Sequence, residues 1–309
     1  MITSQYFISL KHGFKKVWTL FGVLLFLLTT GCEKDIKIEL NGVENLLVVD
    51  ASIENSKAPM VYLSKSLGYF NSVSLSMVAK SFVHNAQITI SDGTKSVLLK
   101  EYLVPFGTDT ISYYSTDATV PAQTMVGNLN TTYNMSIVTD GKTYTSKTTI
   151  PIIAKTLDSL WWKVAPNNAD TNRRIIFAKI TDPPGLGNYI RYYTNVNDSA
   201  FLPAFNSVFN DDIVDGTTYN AQVQRGAINR TRDVDQQDKG FYRKGDSVEV
   251  KMCNIDKATF DFWRTLEFSQ QSVGNPFSQP GVVLSNISGG ALGYFGGYAA
   301  QYKKIIIRN

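Results

Sequence analysis

Two cysteines and two histidines in 309 residues leave little material for soft-metal or thiol chemistry. His12 and Cys32 lie near the N-terminus, and beyond them only His84 and Cys253 remain. One imidazole and one thiol cannot complete a His/Cys zinc or iron site, so no metal and no other cofactor is expected. A Gly-x-Ser-x-Gly nucleophile elbow is absent. With His84 as the only candidate base, a Ser-His-acid triad is not expected, and the chain reads as no enzyme. An apolar run of about 20 residues, the length needed to span a bilayer, is also lacking.

A shorter run is present. Lys11, Lys15 and Lys16 precede Val17 to Leu28, which is broken only by Thr19 and Gly22. A charged region followed by a short apolar one has the form of a secretion signal. The segment ends Leu28-Thr29-Thr30-Gly31-Cys32, small residues leading into a cysteine. Cys32 is therefore the expected lipidation site, with residues 1–31 as signal and 32–45 as a lipid-anchored tether. Several acyl chains, such as palmitate, at roughly 0.8 kcal/mol per buried CH₂ make a stable membrane anchor. Glu33-Lys34-Asp35 resembles the acidic tag that follows the lipid cysteine in surface-displayed lipoproteins of Bacteroidota. Outer-membrane attachment, with exposure at the cell surface, is the expected location.

Without residues 1–31 the chain has 27 basic and 26 acidic residues, a net charge of +1. No basic patch is dense enough to neutralise several phosphates, so nucleic acid is not an expected partner. Two acidic groups stand out: Asp211-Asp212 with Asp215, and Asp233, Asp235 and Asp238. The second lacks the glycine and terminal glutamate of an EF-hand and lies among Arg230, Arg232, Lys239 and Arg243. Both groups could supply oxygen ligands to a hard cation such as calcium, but solvated loops are the expected role of such groups.

From Leu46 onward, short stretches alternate β-branched or aromatic residues with polar ones. Leu46 to Ile53, Pro59 to Ser66, Ala86 to Ser91 and Ser96 to Leu103 are the first predicted strands. Tyr133 to Thr139 turns at Asp140-Gly141 into Lys142 to Thr148, a hairpin whose turn residues accept positive φ. Residues 46–152 thus predict an immunoglobulin-like or fibronectin-like sandwich, with Gly68 to Phe82 as an insertion. Residues 153–309 predict a second β-rich domain with one docked helix. Its strands are Arg174 to Ile180, Tyr189 to Val196, Tyr219 to Arg225, Ser247 to Met252, Val282 to Leu284 and Tyr302 to Arg308. The helix is expected from Asp256 to about Gln270, capped by Asp256 or Asn254, with Ile255, Thr259, Phe262, Leu266 and Trp263 on its apolar side. The fold class is mainly β.

Glycines at 289, 290, 293, 296 and 297 are interleaved with Tyr294, Phe295 and Tyr298. Absent side chains suit a bent strand where backbone or rings approach closely, a packing corner. The sharper reading is an aromatic-lined cleft with Tyr294, Phe295 and Tyr298 as candidate ligand or partner contacts.

Several of these segments also carry a family resemblance. Gly31-Cys32-Glu33-Lys34-Asp35, Ile150-Pro151, Thr181-Asp182-Pro183, Gly245-Asp246-Ser247-Val248, Ile255-Asp256 and Ser285-Asn286-Ile287-x-Gly289-Gly290-x-x-Gly293-Tyr294-Phe295 together resemble the Bacteroidota lipoproteins called domain of unknown function 4249. The resemblance implies an accessory lipoprotein of a TonB-dependent outer-membrane receptor, one that captures a ligand or caps the transporter. The alternative expectation is a structural or adhesive surface module with no transport role. No site residues follow from the resemblance.

Replacing Cys32 with serine is expected to abolish lipidation and leave precursor or soluble protein. Metabolic labelling with a fatty-acid analogue checks this, and a labelled Cys32→Ser chain would overturn it.

Overall fold

Alternation in the strands sets up a sheet with one dry face. In β1 (Leu47–Glu54), Leu47, Val49, Ala51 and Ile53 are buried, while Val48, Asp50, Ser52 and Glu54 face the other way. β2 (Met60–Lys65) repeats the pattern with Val61 and Leu63. The computed structural model describes residues 45–67, 74–226, 240–272 and 281–308. Cys32, the signal, the tether up to residue 44 and the Asp233, Asp235 and Asp238 group lie outside the described residues.

The chain continues through a short helix, α1 (Leu75–Lys80), capped by Ser74, whose Oγ accepts from the Met77 amide at 3.2 Å. β3 (Gln87–Ser91), β4 (Ser96–Leu98), β5 (Lys100–Phe106) and β6 (Asp109–Ser115) follow. The predicted strand Ser96 to Leu103 is in fact two, broken at Leu99. β7 (Thr131–Thr139) and β8 (Lys142–Ile150) form the predicted hairpin, with φ of 51° at Asp140 and 70° at Gly141. Then come β9 (Thr156–Val164), β10 (Arg173–Thr181), β11 (Tyr189–Val196), β12 (Leu202–Phe209), β13 (Thr218–Val223) and β14 (Tyr242–Arg243). β15 (Ser247–Ile255), α2 (Lys257–Ser272) and β16 (Leu292–Ile306) complete the order. Val282 to Leu284 is not a strand: it runs past α2 as irregular chain, where the Leu284 amide donates to Thr265 Oγ1 at 3.0 Å.

Eight strands form the main sheet in the order β12-β11-β15-β16-β1-β2-β6-β5. It draws strands from both sides of residue 152, so the two expected β regions share one sheet, and the described residues lie in one compact unit. The edge strands β12 and β5 contain Pro203 and Pro105, which cannot donate to a further ladder, as suits strands with one open side. Two four-stranded sheets cover the dry face. One, β4-β3-β7-β8, packs Ile88, Ile90, Met135 and Ile137 against Val49, Ile53, Leu63 and Phe295. The other contains β13-β10-β14, with β9 on β10, and packs Ile176, Ala178 and Ile180 against Val250, Met252 and Tyr192.

α2 lies on the opposite face. Asp256 caps it by accepting from the Thr259 amide at 2.9 Å, and its second oxygen accepts from Thr149 N and Thr148 Oγ1, both at 2.8 Å. One carboxylate therefore starts the helix and ties it to β8.

β16 passes its neighbours closely because it is rich in glycine. A Cβ at Gly293, where φ is 102°, would stand 1.9 Å from the Val49 carbonyl oxygen, and one at Gly297 would stand 2.5 Å from that of Thr149. Gly290 also has a positive φ, 83°, but open space around it. Gly293→Ala is therefore expected to cost roughly 3 kcal/mol or more, from strain plus collision, and Gly290→Ala about 1 kcal/mol from strain alone. Thermal melting of the two variants checks this. Equal losses would mean that the close approach to β1 is not what constrains Gly293.

Candidate ligand-binding site

β16 sends successive side chains to opposite faces, and this separates the three aromatic residues singled out in the sequence. Phe295 is fully buried between the main sheet and the β4-β3-β7-β8 sheet. Tyr294 and Tyr298, 6% and 5% exposed, point the other way, under α2. None of the three offers an open ring to a ligand. The glycines matter for another reason: a Cβ at Gly296 would meet both flanking tyrosine rings, at 2.9 and 3.1 Å.

The layer under α2 is polar as well as aromatic. Tyr294 stacks on Phe262 with ring centres 4.4 Å apart and meets Trp263 edge-on at 4.9 Å. Trp263 Nε1 donates to the Tyr298 hydroxyl at 3.0 Å. The Arg191 guanidinium sits 3.2 Å from the centre of the Trp263 ring and 4.8 Å from that of Tyr193. Arg191 Nε donates to Ser207 Oγ at 3.2 Å, and Ser207 donates through Oγ and N to the two oxygens of buried Glu267, at 2.5 and 3.0 Å. A buried cation and a buried anion are thus joined through one hydroxyl, fastening α2 to β11 and β12. Burial pushes the phenols of Tyr193 and Tyr294 well above their ordinary range, and it pushes the Cys253 thiol up to about 12. At neutral pH that thiol is protonated and unreactive.

The space suited to a small molecule lies on the dry face, between the main sheet and the β10 sheet. Its volume is about 360 Å³. Ile190, Tyr192, Val250 and Met252 form one wall, and Leu157, Ala178, Ile180, Tyr219, Ala221 and Val223 the other. The cause is local, because Ala178 and Ala221 are direct partners in the β10–β13 ladder and two methyl groups leave room that larger side chains would fill. Phe209, Asn210, Ile213 and Val214 form the rim, with Ile213 96% exposed. The polar residues of the lining are few: Asn210, Gln222, Tyr192 and Tyr219. The Tyr219 phenol is pushed up to about 12, first by burial and then by the negative charge of Asp182 and Asp211. An apolar chamber with a handful of polar points is the usual form of a small-ligand site. No residue of this chamber was singled out in the sequence, because its walls come from six strands and a turn.

A hollow of about 560 Å³ flanks α2, between Asn206, Phe209, Arg264, Phe268 and Val282. His84 stands on the surface, with Nδ1 2.6 Å from Glu101 Oε1. On the open part of the main sheet, Tyr62, Tyr113 and Tyr102 form a row, with ring centres 6.0 and 5.2 Å apart. Exposed Met60, Val104, Phe106 and Leu292 lie on the same face.

Because all three β16 rings are buried, Tyr294→Ala, Phe295→Ala and Tyr298→Ala are all expected to melt early, with Phe295→Ala losing about 3–5 kcal/mol. Thermal denaturation measures this. An unchanged melting temperature for any one of them would show that its ring is not part of the core.

No curated protein matches the chain. A family model does match, over residues 33–304, nearly all of the chain beyond the expected signal. The protein belongs to the family described as Domain of unknown function (DUF4249).

Proposed function

We propose that the protein is a non-enzymatic lipoprotein, anchored at the outer membrane through Cys32, that captures a small apolar ligand for a TonB-dependent transporter. The observation that carries the ligand-capture part is the 360 Å³ chamber between β11, β15 and the β10 sheet. A cavity of about 150 Å³ suffices for benzene, so this one suits a bicyclic molecule or a medium-length acyl chain. The row of Tyr62, Tyr113 and Tyr102 supports the transporter half of the reading, because aromatic rings on a rigid sheet give large contact area at low entropic cost. The lipid anchor, the outer-membrane location and the transporter partnership rest on the N-terminal segment and the family resemblance.

Ala221→Phe places a ring inside the chamber without touching the tyrosine row. An environment-sensitive apolar dye, 1-anilinonaphthalene-8-sulfonate, should bind the unaltered protein and bind the variant at least about tenfold more weakly, with the melting temperature of the variant no lower. Both proteins should co-purify with a large β-barrel. Equal dye binding by the two would remove the chamber as the capture site. Attachment to an insoluble polymer or surface, with no barrel partner and no dye binding, would favour the adhesive module instead.

A further inference from the structure

The stretch that rims the chamber also carries two acids. Asp211 and Asp215 lie between β12 and β13, and β10 delivers a third, Asp182, in Thr181-Asp182-Pro183. The backbone fixes their meeting, since the Asp182 amide donates to the Thr217 carbonyl at 2.9 Å. One carboxylate oxygen from each lies within 4.8 Å of the others. Asp182 and Asp211 are buried, 2% and 1% exposed, and Asp215 is exposed.

Asp211 and Asp215 are held in place by the loop between β10 and β11. Asp211 accepts from the amides of Gly187 and Asn188 at 3.1 and 2.8 Å and from Asn188 Nδ2 at 3.1 Å, while Asp215 accepts from Gly185 N at 2.7 Å. Asp182 is different. Both of its oxygens are buried and neither accepts a hydrogen bond. Its cationic neighbour is Lys155, whose Nζ lies 3.4 Å from Oδ1 and equally far from the Asn188 carbonyl. That exceeds the 2.7–2.9 Å typical of a charge-assisted hydrogen bond. Buried carboxylate oxygens are normally satisfied, so a buried carboxylate that brings an oxygen into an acidic cluster, accepts no hydrogen bond and has Lys155 only at ion-pair distance calls for a further positive group there.

Charge gives the size of that group. Three carboxylates against one ammonium leave a net charge of −2. We infer that Asp182, Asp211 and Asp215 form a binding site for one divalent cation, with calcium the best fit. The donors are all oxygen, which suits a hard ion over zinc or copper. Oxygens on opposite sides of a calcium ion, each at about 2.4 Å, stand about 4.8 Å apart, so the three carboxylates can share one ion. Lys155 then serves as a counter-charge beside Asp182, and the hydrogen-bonded loop keeps the other two carboxylates aimed, as outer-shell groups do at metal sites. This goes beyond the expectation of a solvated loop at Asp211 and Asp215. It is independent of what fills the chamber.

The test uses the purified chain, stripped with EDTA and titrated with calcium chloride by calorimetry and by thermal melting. One ion per chain, a Kd below about 1 mM and a melting temperature several degrees higher in excess calcium are expected. Terbium in place of calcium should luminesce on excitation of tyrosine, because Tyr219 lies beside Asp182 and Asp211. Asp182→Asn and Asp215→Asn should each weaken binding at least about tenfold. Asp215 is exposed, so Asp215→Asn reports on binding even if Asp182→Asn fails to fold. Superimposable melting curves in EDTA and calcium, with no heat of binding, would overturn the site; so would an Asp215→Asn chain that binds as tightly as the unaltered one.

Discussion

β16 hydrogen-bonds in parallel to β1, from Val48 opposite Leu292 to Glu54 opposite Tyr298, and antiparallel to β15, from Ser247 opposite Ile306 to Ile255 opposite Tyr298. That double pairing makes one eight-stranded sheet from what would otherwise be two separate sets of strands. It depends on glycine, because a side chain at Gly293 would meet the β1 backbone and one at Gly297 would meet β8. The four-stranded sheets need the dry face that this junction creates, and α2 needs Tyr294 and Tyr298 on the reverse.

Two buried charges hold the sheet to its surroundings in different ways. Arg191 is covered by Trp263 and reaches Glu267 through Ser207, so its charge has a partner along a hydrogen-bonded path. Lys155 is equally inaccessible but stands back from Asp182, while Asn254 and Lys155 bond each other through side-chain amide and backbone at 2.8 and 2.9 Å. Breaking a buried pair by removing one member costs about 3–5 kcal/mol, although replacing the whole pair with apolar residues can be neutral. The Arg191 chain thus fixes where α2 lies more than it adds to stability.

The sequence made some elements plain and hid others for identifiable reasons. The β7–β8 hairpin was legible because Asp140-Gly141 permits only a narrow range of turns. The helix was legible through its capping aspartate and spaced aromatic residues, and α2 begins within one residue of the expected position. β12 was not, because Pro203, Asn206 and Ser207 interrupt its apolar alternation; the strand sits at the sheet edge, where such residues are tolerated. β6 was hidden by its serines and tyrosines, which face both the core and the open tyrosine row. The glycine-aromatic segment left a packing corner and an aromatic-lined cleft both open, because glycine is ambiguous between loop and close packing, and only the register with β1 decides for packing. Asp182 was overlooked as a neighbour of Asp211 and Asp215 since that meeting depends on β10 and the β12–β13 turn being brought together in space.

The parallel pairing of β1 with β16 also has a consequence in time. A parallel neighbour cannot be reached through a tight turn, and here the first and last strands of the described chain are partners, with more than 230 residues between them. During synthesis β1 can pair with β2, but the centre of the main sheet stays open until the final residues have left the ribosome. Contacts this distant in sequence close late and slowly. A chain built in this way keeps its main sheet in two parts, each with an open strand edge, until β16 arrives to join them.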